Sequence, residues 1–401
     1  MVEDTGCITE EGTPFRLLEA TAYFLFAVGP LVGNAVLTLL GAIAQDFGVD
    51  PTVILISIPA FMFPFAIFQL FSGAISDVYG RVRVIVLGLI LFIVGLALTA
   101  FAMSITIFAL GNFVSGIGFG FINPSLLALL SDCADPKDIP KRMGIASALA
   151  SFSVGLGPFI AGQMVIFGWA AYYIMFMIIA TLGMVTIAIV KRPPRRVHED
   201  AGVRVLASNL NVELRRPPVL LMMMTSFIVS LTYLGIFVWT SRGLTGALNE
   251  VLIGIILLGG GISGTFAGAL VGLMIRRYGF GIPISLGIVP LLFGTVLLIL
   301  IGDITVAASL TTVALGIALV GWGGGILLPI MITVSQVLSP ERRGVLAGVV
   351  TFSFFMGSAL IPTVYEPLFQ IGITWVYFGI LIISLLLVLL LGVLNKRVKS
   401  S

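Results

Sequence analysis

Apolar residues run along this chain in blocks of about twenty or more, separated at intervals by short polar breaks. Twelve blocks stand out, at roughly 20–44, 53–75, 84–103, 105–131, 143–167, 169–190, 219–240, 251–275, 280–301, 305–333, 344–366 and 375–394. About 20 apolar residues are enough to carry a helix across the hydrocarbon of a bilayer. The apolar character extends around each predicted helix rather than along one stripe. That suits a helix which satisfies its own backbone and turns its side chains to lipid. The pattern predicts an all-α membrane protein of twelve transmembrane helices.

The polar breaks organise those spans. Only 191–218 is long, and it divides them six and six. The predicted domains are an N-terminal tail (1–19), an N-terminal six-helix half (20–190), a central loop (191–218), a C-terminal six-helix half (219–394) and a C-terminal tail (395–401). Counting breaks alternately on the two sides puts 20 of the 21 Lys and Arg on one side, with only Arg242 opposite. Cationic loops stay in the cytoplasm. Both termini and the central loop are therefore expected there, in a multi-pass protein of the plasma membrane.

Composition narrows the class further. The chain is 59% hydrophobic and 10% charged, against about 25% charged for soluble domains. The basic stretch 191–216 is read as a partner for anionic lipid headgroups, not nucleic acid. Cys7 and Cys133 are separated by several spans and form no disulfide framework. Residues 1–19 are acidic, unlike a signal peptide. His198, the only histidine, lies in the central loop, so no histidine-based metal or catalytic cluster is expected. Gly323-Gly324-Gly325 follows no strand and is not a nucleotide loop. Neither a cofactor nor an enzymatic activity is expected.

The two halves echo each other. Tyr79-Gly80 recurs as Tyr278-Gly279, and Gly73 as Gly272, at the same offset. Arg142 and Gly144 answer Arg342 to Gly344, Ser151-Phe152 answers Thr351-Phe352, and Pro124 answers Pro329. Parallel halves about an axis normal to the membrane imply a cavity between them near the midplane.

Between spans 2 and 3 the chain reads Gly73-Ala-Ile-Ser-Asp77-Val-Tyr-Gly80-Arg81-Val-Arg83. A loop this short needs glycine for backbone freedom and cations for orientation; the acid is the unusual member. This stretch, with six plus six spans, resembles the major facilitator superfamily and its G-x-L-x-D-R-x-G-R-R/K signature. Gly73, Asp77, Gly80 and Arg81 match, Val78 replaces a frequent arginine, and the second cation falls one position late, at Arg83. The resemblance implies that this motif gates the cytoplasmic side, with Asp77 facing Arg342 and Arg343 at the start of span 11. The second half reads Gly272-Leu-Met-Ile-Arg276-Arg277-Tyr-Gly279, without the acid, so a charge-paired gate belongs to the first half.

Span 5 carries Gly144, Ser153, Gly157, Pro158 and Gly162 at the spacing of the motif that marks the drug/proton antiporter branch. Its small residues admit a neighbouring helix, and its proline removes a backbone bond. Gly260, Gly264, Gly268 and Gly272 make a matching stripe on span 8, so spans 5 and 8 are expected to pack together through it. Span 4 departs from that branch: Asn112 stands where its members carry an arginine, which removes one marker of proton coupling.

The candidate substrate-cavity residues are Asn34, Gln69, Asn112, Asn123, Gln163, Tyr233, Trp322 and Gln336, with Phe355 and Met356. They are neutral hydrogen-bonding groups among soft apolar surface, which suits a lipophilic small-molecule substrate. Glu19 and Glu366, at opposite membrane faces, are the candidate proton sites. The expectation is a monomeric secondary transporter that works by alternating access and exports hydrophobic or drug-like molecules, with protons as candidate exchange ion. The alternatives are a facilitator or importer of a neutral metabolite and, in another class, a non-transporting sensor or scaffold.

Overall fold

The computed structural model describes residues 13–132, 138–189, 203–301, 307–338 and 342–400. Expectations that concern Cys7, Cys133, His198 and the cations at 191–196 lie outside these residues. The first half comprises α1 (Thr13–Phe47), α2 (Pro51–Ile54), α3 (Ser57–Tyr79), α4 (Arg81–Ala100), α5 (Ile105–Asp132), α6 (Ile139–Met164) and α7 (Trp169–Ile189). A connecting helix, α8 (Val203–Leu214), follows. The second half comprises α9 (Pro217–Leu244), α10 (Glu250–Tyr278), α11 (Gly281–Leu300), α12 (Ala307–Leu338), α13 (Arg343–Phe369) and α14 (Ile373–Ser400). Twelve spans are long and apolar enough to cross a membrane, with α2 leading into α3 as one of them.

The sequence pattern places α8 in a polar loop, whereas the structure makes it a helix. Leu206, Leu210 and Glu213 turn toward the protein at helical spacing, while Ala207, Ser208 and Asn211 are exposed. An apolar stripe on twelve residues is too short and too narrow to register in a window of span length.

The halves are pseudo-symmetric in their packing as well as their sequence. Within the first, α1 packs on α6, α3 on α5 and α4 on α5; within the second, α9 packs on α13, α10 on α12 and α11 on α12. Glycines make the same contacts in each. A Cβ on Gly157 of α6 would lie 2.3 Å from the carbonyl oxygen of Leu31 in α1. On Gly357 of α13 it would lie 2.5 Å from that of Phe227 in α9. The loop glycines Gly80 and Gly279 both adopt positive φ, 96° and 67°, where a side chain would be strained.

One end of the bundle carries α8, the start of α1 and Arg81, Arg142, Arg276 and Arg342; it is called the basic end here, and the other the far end. Among the described residues the halves meet where α6 packs on α10, α3 on α13, and α1 on both α9 and α10.

Candidate functional site

At the basic end, Arg81 organises its own half. Its Nε donates to Asp132 Oδ2 at 3.0 Å, its NH1 to Ser76 Oγ at 2.6 Å and to the Gly73 carbonyl at 3.4 Å. Its NH2 lies against Asp77 in the last turn of α3, across the break at Gly80. The 73–83 motif thus braces the ends of α3, α4 and α5 together. Gly73 contributes its carbonyl, Gly80 the turn, and Arg83 is exposed.

The resemblance places Asp77 beside Arg342 and Arg343; the side chain of Arg343 lies outside the described residues, and Asp77 and Arg342 are separately engaged. Arg342 NH1 donates to Glu213 Oε1 at 3.0 Å, and Arg216 NH1 to Glu213 Oε2 at 2.7 Å. Glu213 is 2% exposed. Burial pushes its carboxyl up, but Arg216 and Arg342 hold it below the usual carboxylate range. Glu19, a candidate proton site, pairs with Arg142 at 3.3 Å and accepts from the Tyr23 hydroxyl at 3.4 Å. Glu366, the other candidate, is exposed at the far end.

The far end is closed across the two halves. Ser241 Oγ in α9 donates to the Leu37 carbonyl in α1. Arg242 donates through Nε to Thr52 Oγ1 at 2.9 Å and through NH2 to Asp50 Oδ1 at 3.0 Å. Its guanidinium also lies 4.9 Å from the ring centroid of Phe369, at the end of α13. Hydrogen bonds from Thr52, and then the charge of Arg242, hold the Asp50 carboxyl below its usual range.

The α6–α10 seam is built from backbone approaches. A Cβ on Gly162 would lie 2.5 Å from the Glu250 carbonyl oxygen, on Gly254 2.9 Å from that of Pro158, and on Gly155 2.8 Å from Gly261 Cα. Spans 5 and 8 therefore pack closely, but not through the expected stripe. Gly260, Gly264 and Gly268 face α12, against Ile317 and the carbonyls of Gly321 and Gly325. The face toward α6 carries Gly254, Leu257 and Gly261, about 100° around the helix. The span 5 motif also divides its work. Gly157 seats on α1, Ser153 donates to the Leu149 carbonyl of its own helix at 2.7 Å, and Gly144 has open space around it.

The interior groups are distributed as follows. Asn34 and Asn112 donate to the carbonyls of Pro30 and Phe108, at 2.8 and 2.9 Å. Tyr233 is buried, its ring filling the notch left by Gly324 and 5.2 Å from that of Phe237. Trp322 is half-buried, and Gln163 and Gln336 are exposed near opposite ends. Gln69 is buried on α3 and Asn123 half-buried on α5. Near them the rings of Phe65, Phe119 and Phe355 meet, with centroids 5.2 Å apart for Phe65–Phe119 and 4.5 Å for Phe65–Phe355.

Sequence reasoning missed Asp132, Glu213 and the Asp50–Arg242 contact. The lone cation opposite all the others was the one available signal, and it marks Arg242.

The sequence profile of the Major Facilitator Superfamily matches residues 22–362. The chain is 24% identical over 321 residues to the uncharacterized MFS-type transporter YceJ of Bacillus subtilis, covering 78% of this chain and 79% of that one. Over shorter stretches it is 29% identical to a methylenomycin A resistance protein of Bacillus subtilis, covering 29% of this chain and 26% of that protein. It is 26% identical to the quinolone resistance protein NorA of Staphylococcus aureus, covering 32% and 33%. In fold it is similar to the nucleoside transporter NupG, with a TM-score of 0.79, 11% identity and 94% and 99% of the chains covered. It is also similar to a bacterial homologue of the human lysosomal transporter Spinster, in an inward-facing and unoccupied conformation, with a TM-score of 0.72, 13% identity and 98% and 99% covered. With its twelve spans in two matched halves, the chain belongs to the major facilitator superfamily and is a multi-pass membrane transporter of small molecules.

Proposed function

We propose that this transporter exports hydrophobic, weakly charged molecules across the plasma membrane by alternating access, with the basic end in the cytoplasm. The observation that carries the reading is the chemistry of the interior. Its polar groups are neutral, buried Ser and Thr hydroxyls together with the amides of Asn34, Gln69, Asn112 and Asn123, among the rings of Phe65, Phe119 and Phe355, while the ion pairs described above sit at the two ends. An apolar path with sparse neutral hydrogen-bonding groups favours lipophilic solutes over anions or sugars. Twenty of the 21 Lys and Arg counted on one side support the orientation. The partial likeness to two resistance proteins supports export as the direction.

In this reading the closed far end and the separately engaged Asp77 and Arg342 make the conformation inward-facing. Asp77 acts in the gate, and the seam at Gly162 and Pro158 guides the rocking of the halves. Protons are the candidate exchange ion, with Glu19 at the cytoplasmic face and Glu366 at the outer face as the groups to examine. The test uses proteoliposomes with an internal pH dye and a panel of lipophilic cations and neutral drugs. Outward flux of the lipophilic panel supports export, its loss in Asp77→Asn at normal expression supports the gating role, and accompanying proton movement supports exchange. Equal flux in Asp77→Asn would remove the gating role. Uncharged polar metabolites carried in place of the lipophilic panel would favour the facilitator reading.

A further inference from the structure

Among the described residues, the buried side-chain atoms without a hydrogen-bond partner include the hydroxyls of Thr38, Ser115, Ser125, Ser226 and Ser230, an amide oxygen of Asn395 near the end of α14, and amide atoms on two adjacent helices, α3 and α5. Asn34 and Asn112 satisfy themselves on the carbonyls four residues earlier. Gln69 and Asn123 do not: Nε2 of Gln69 and Oδ1 of Asn123 are both buried and unpaired among the described residues. Gln69 is only 7% exposed. Buried polar groups are nearly always paired, so an orphan donor and an orphan acceptor in one neighbourhood ask for an explanation.

Their placement supplies one. Gln69 follows Phe65 by four residues on α3, and Asn123 follows Phe119 by four on α5. Residues four apart lie on the same face of a helix, one turn along. The two helices run in the same direction, far end to basic end. Their register is fixed where Gly116 meets the Phe61 carbonyl and Gly120 meets that of Phe65. Since the rings of Phe65 and Phe119 touch, the two amides stand at matching levels just beneath them, toward the basic end. The third ring, Phe355, reaches in from the opposite half of the protein. The rings meet tilted and edge-on, at 44° for Phe65–Phe119 and 62° for Phe65–Phe355, and a donor and an acceptor beside such aromatic faces complement a flat molecule with an acceptor next to a donor.

We propose that Gln69 and Asn123, beneath Phe65, Phe119 and Phe355, bind flat, uncharged molecules that carry a hydrogen-bond acceptor next to a donor, as a lactam does. Gln69 Nε2–H donates to the ligand carbonyl, and Asn123 Oδ1 accepts from the ligand N–H. The proposal rests on the reading of the interior as the substrate path, and names the substrate class of that path.

The test is equilibrium binding to the full chain in nanodiscs, read by ligand fluorescence and corrected for partition into protein-free discs. The probes are 2-quinolone, with adjacent C=O and N–H, and N-methyl-2-quinolone, which lacks the donor. A site built around a hydrogen bond rejects the analogue that cannot make it, so the wild type should prefer 2-quinolone by about tenfold or more. Asn123→Leu should bring that ratio to about one. Gln69→Met should weaken both lactams by about tenfold and keep the ratio. Equal binding of the two probes to the wild type would overturn the proposal. So would variants that shift the unliganded melting temperature but leave the ratio unchanged, since that is the behaviour of a purely structural pair. Lipophilic flux without a lactam preference would sink this inference alone. A lactam preference lost in Asn123→Leu, without lipophilic flux, would keep the site and remove the export reading.

Discussion

Arg342 donates to Glu213 across 3.0 Å, tying the residue before α13 to the connecting helix α8. Arg216 holds the other carboxylate oxygen and donates also to the Leu338 carbonyl at the end of α12, at 3.1 Å. The ends of α8, α9, α12 and α13 therefore gather on one buried acid. Because both arginines are partly exposed, they regain water when the acid is lost, and the cost falls below that of a fully buried pair. Glu213→Gln should destabilise the protein by about 1–3 kcal/mol. A cycle of Glu213→Gln, Arg342→Ala and the double variant, followed by thermal unfolding, should give a coupling of about 1–2 kcal/mol. Additive effects would mean that α8 is held by its apolar face alone.

Arg242 is the corresponding tie at the far end, and the only cation counted on that side. It joins α9 to Asp50 and Thr52 of the first half and lies over Phe369. Arg242→Ala should favour opening of the far end by about 1–2 kcal/mol, roughly fivefold to thirtyfold in population. Spin labels at Val53→Cys and Ala247→Cys, with Cys7 and Cys133 replaced by Ser, would read this as a longer distance. An unchanged distance distribution would leave the closure to Ser241 and the α6–α10 seam.

The same contact carries a pH dependence with a defined sign. The Asp50 carboxyl is held below its usual range, first by hydrogen bonds from Thr52 and then by Arg242. Thr52 sits in the same helical turn and stays when the halves part, so only the share from Arg242 is linked to opening. A carboxyl lowered in the closed state favours that state above the ordinary carboxylate range. The preference is lost as pH falls through the lowered value. Acidifying the far side below about pH 4 should raise the open population about twofold. Asp50→Asn should flatten that response.

The spans were legible because hydropathy over twenty residues is a strong, local signal. Gly80 was legible because a short turn demands a backbone that other residues resist, and its φ of 96° meets that demand. The pairing of Asp77 with Arg81 was not read: the resemblance points Asp77 at Arg342 and Arg343, and the turn at Gly80 breaks the helix between Asp77 and Arg81, so their spacing of four is no helical pair. Asp132 was hidden as well, since it meets Arg81 from 51 residues away at the end of another helix. Glu213 was hidden for a related reason: among polar residues it looks solvated, and only the folding of α8 buries it. On α10 the sequence offers glycines on two faces, and spacing alone gives no way to tell which face meets α6.

Those two faces make the clearest mutational contrast. A Cβ on Gly261 would fall 2.7 Å from Gly155 Cα, backbone against backbone between the halves, where no flexible side chain can give way. Gly261→Ala must push α10 and α6 apart, at about 1–3 kcal/mol in thermal unfolding. On Gly272 a Cβ would meet nothing within 4 Å. Alanine there is expected to be neutral or slightly stabilising, by up to about 1 kcal/mol, because glycine is a poor helix former. Gly268 lies between, its Cβ 3.1 Å from the Gly325 carbonyl of α12 in the same half. Gly268→Ala should lower stability modestly and leave the seam between the halves in place. Crosslinking across α6 and α10 should then fall in Gly261→Ala and stay at the wild-type level in Gly268→Ala and Gly272→Ala. Equal loss in all three would mean that the seam depends on general helix stability in α10 and not on the approach of Gly155 to Gly261.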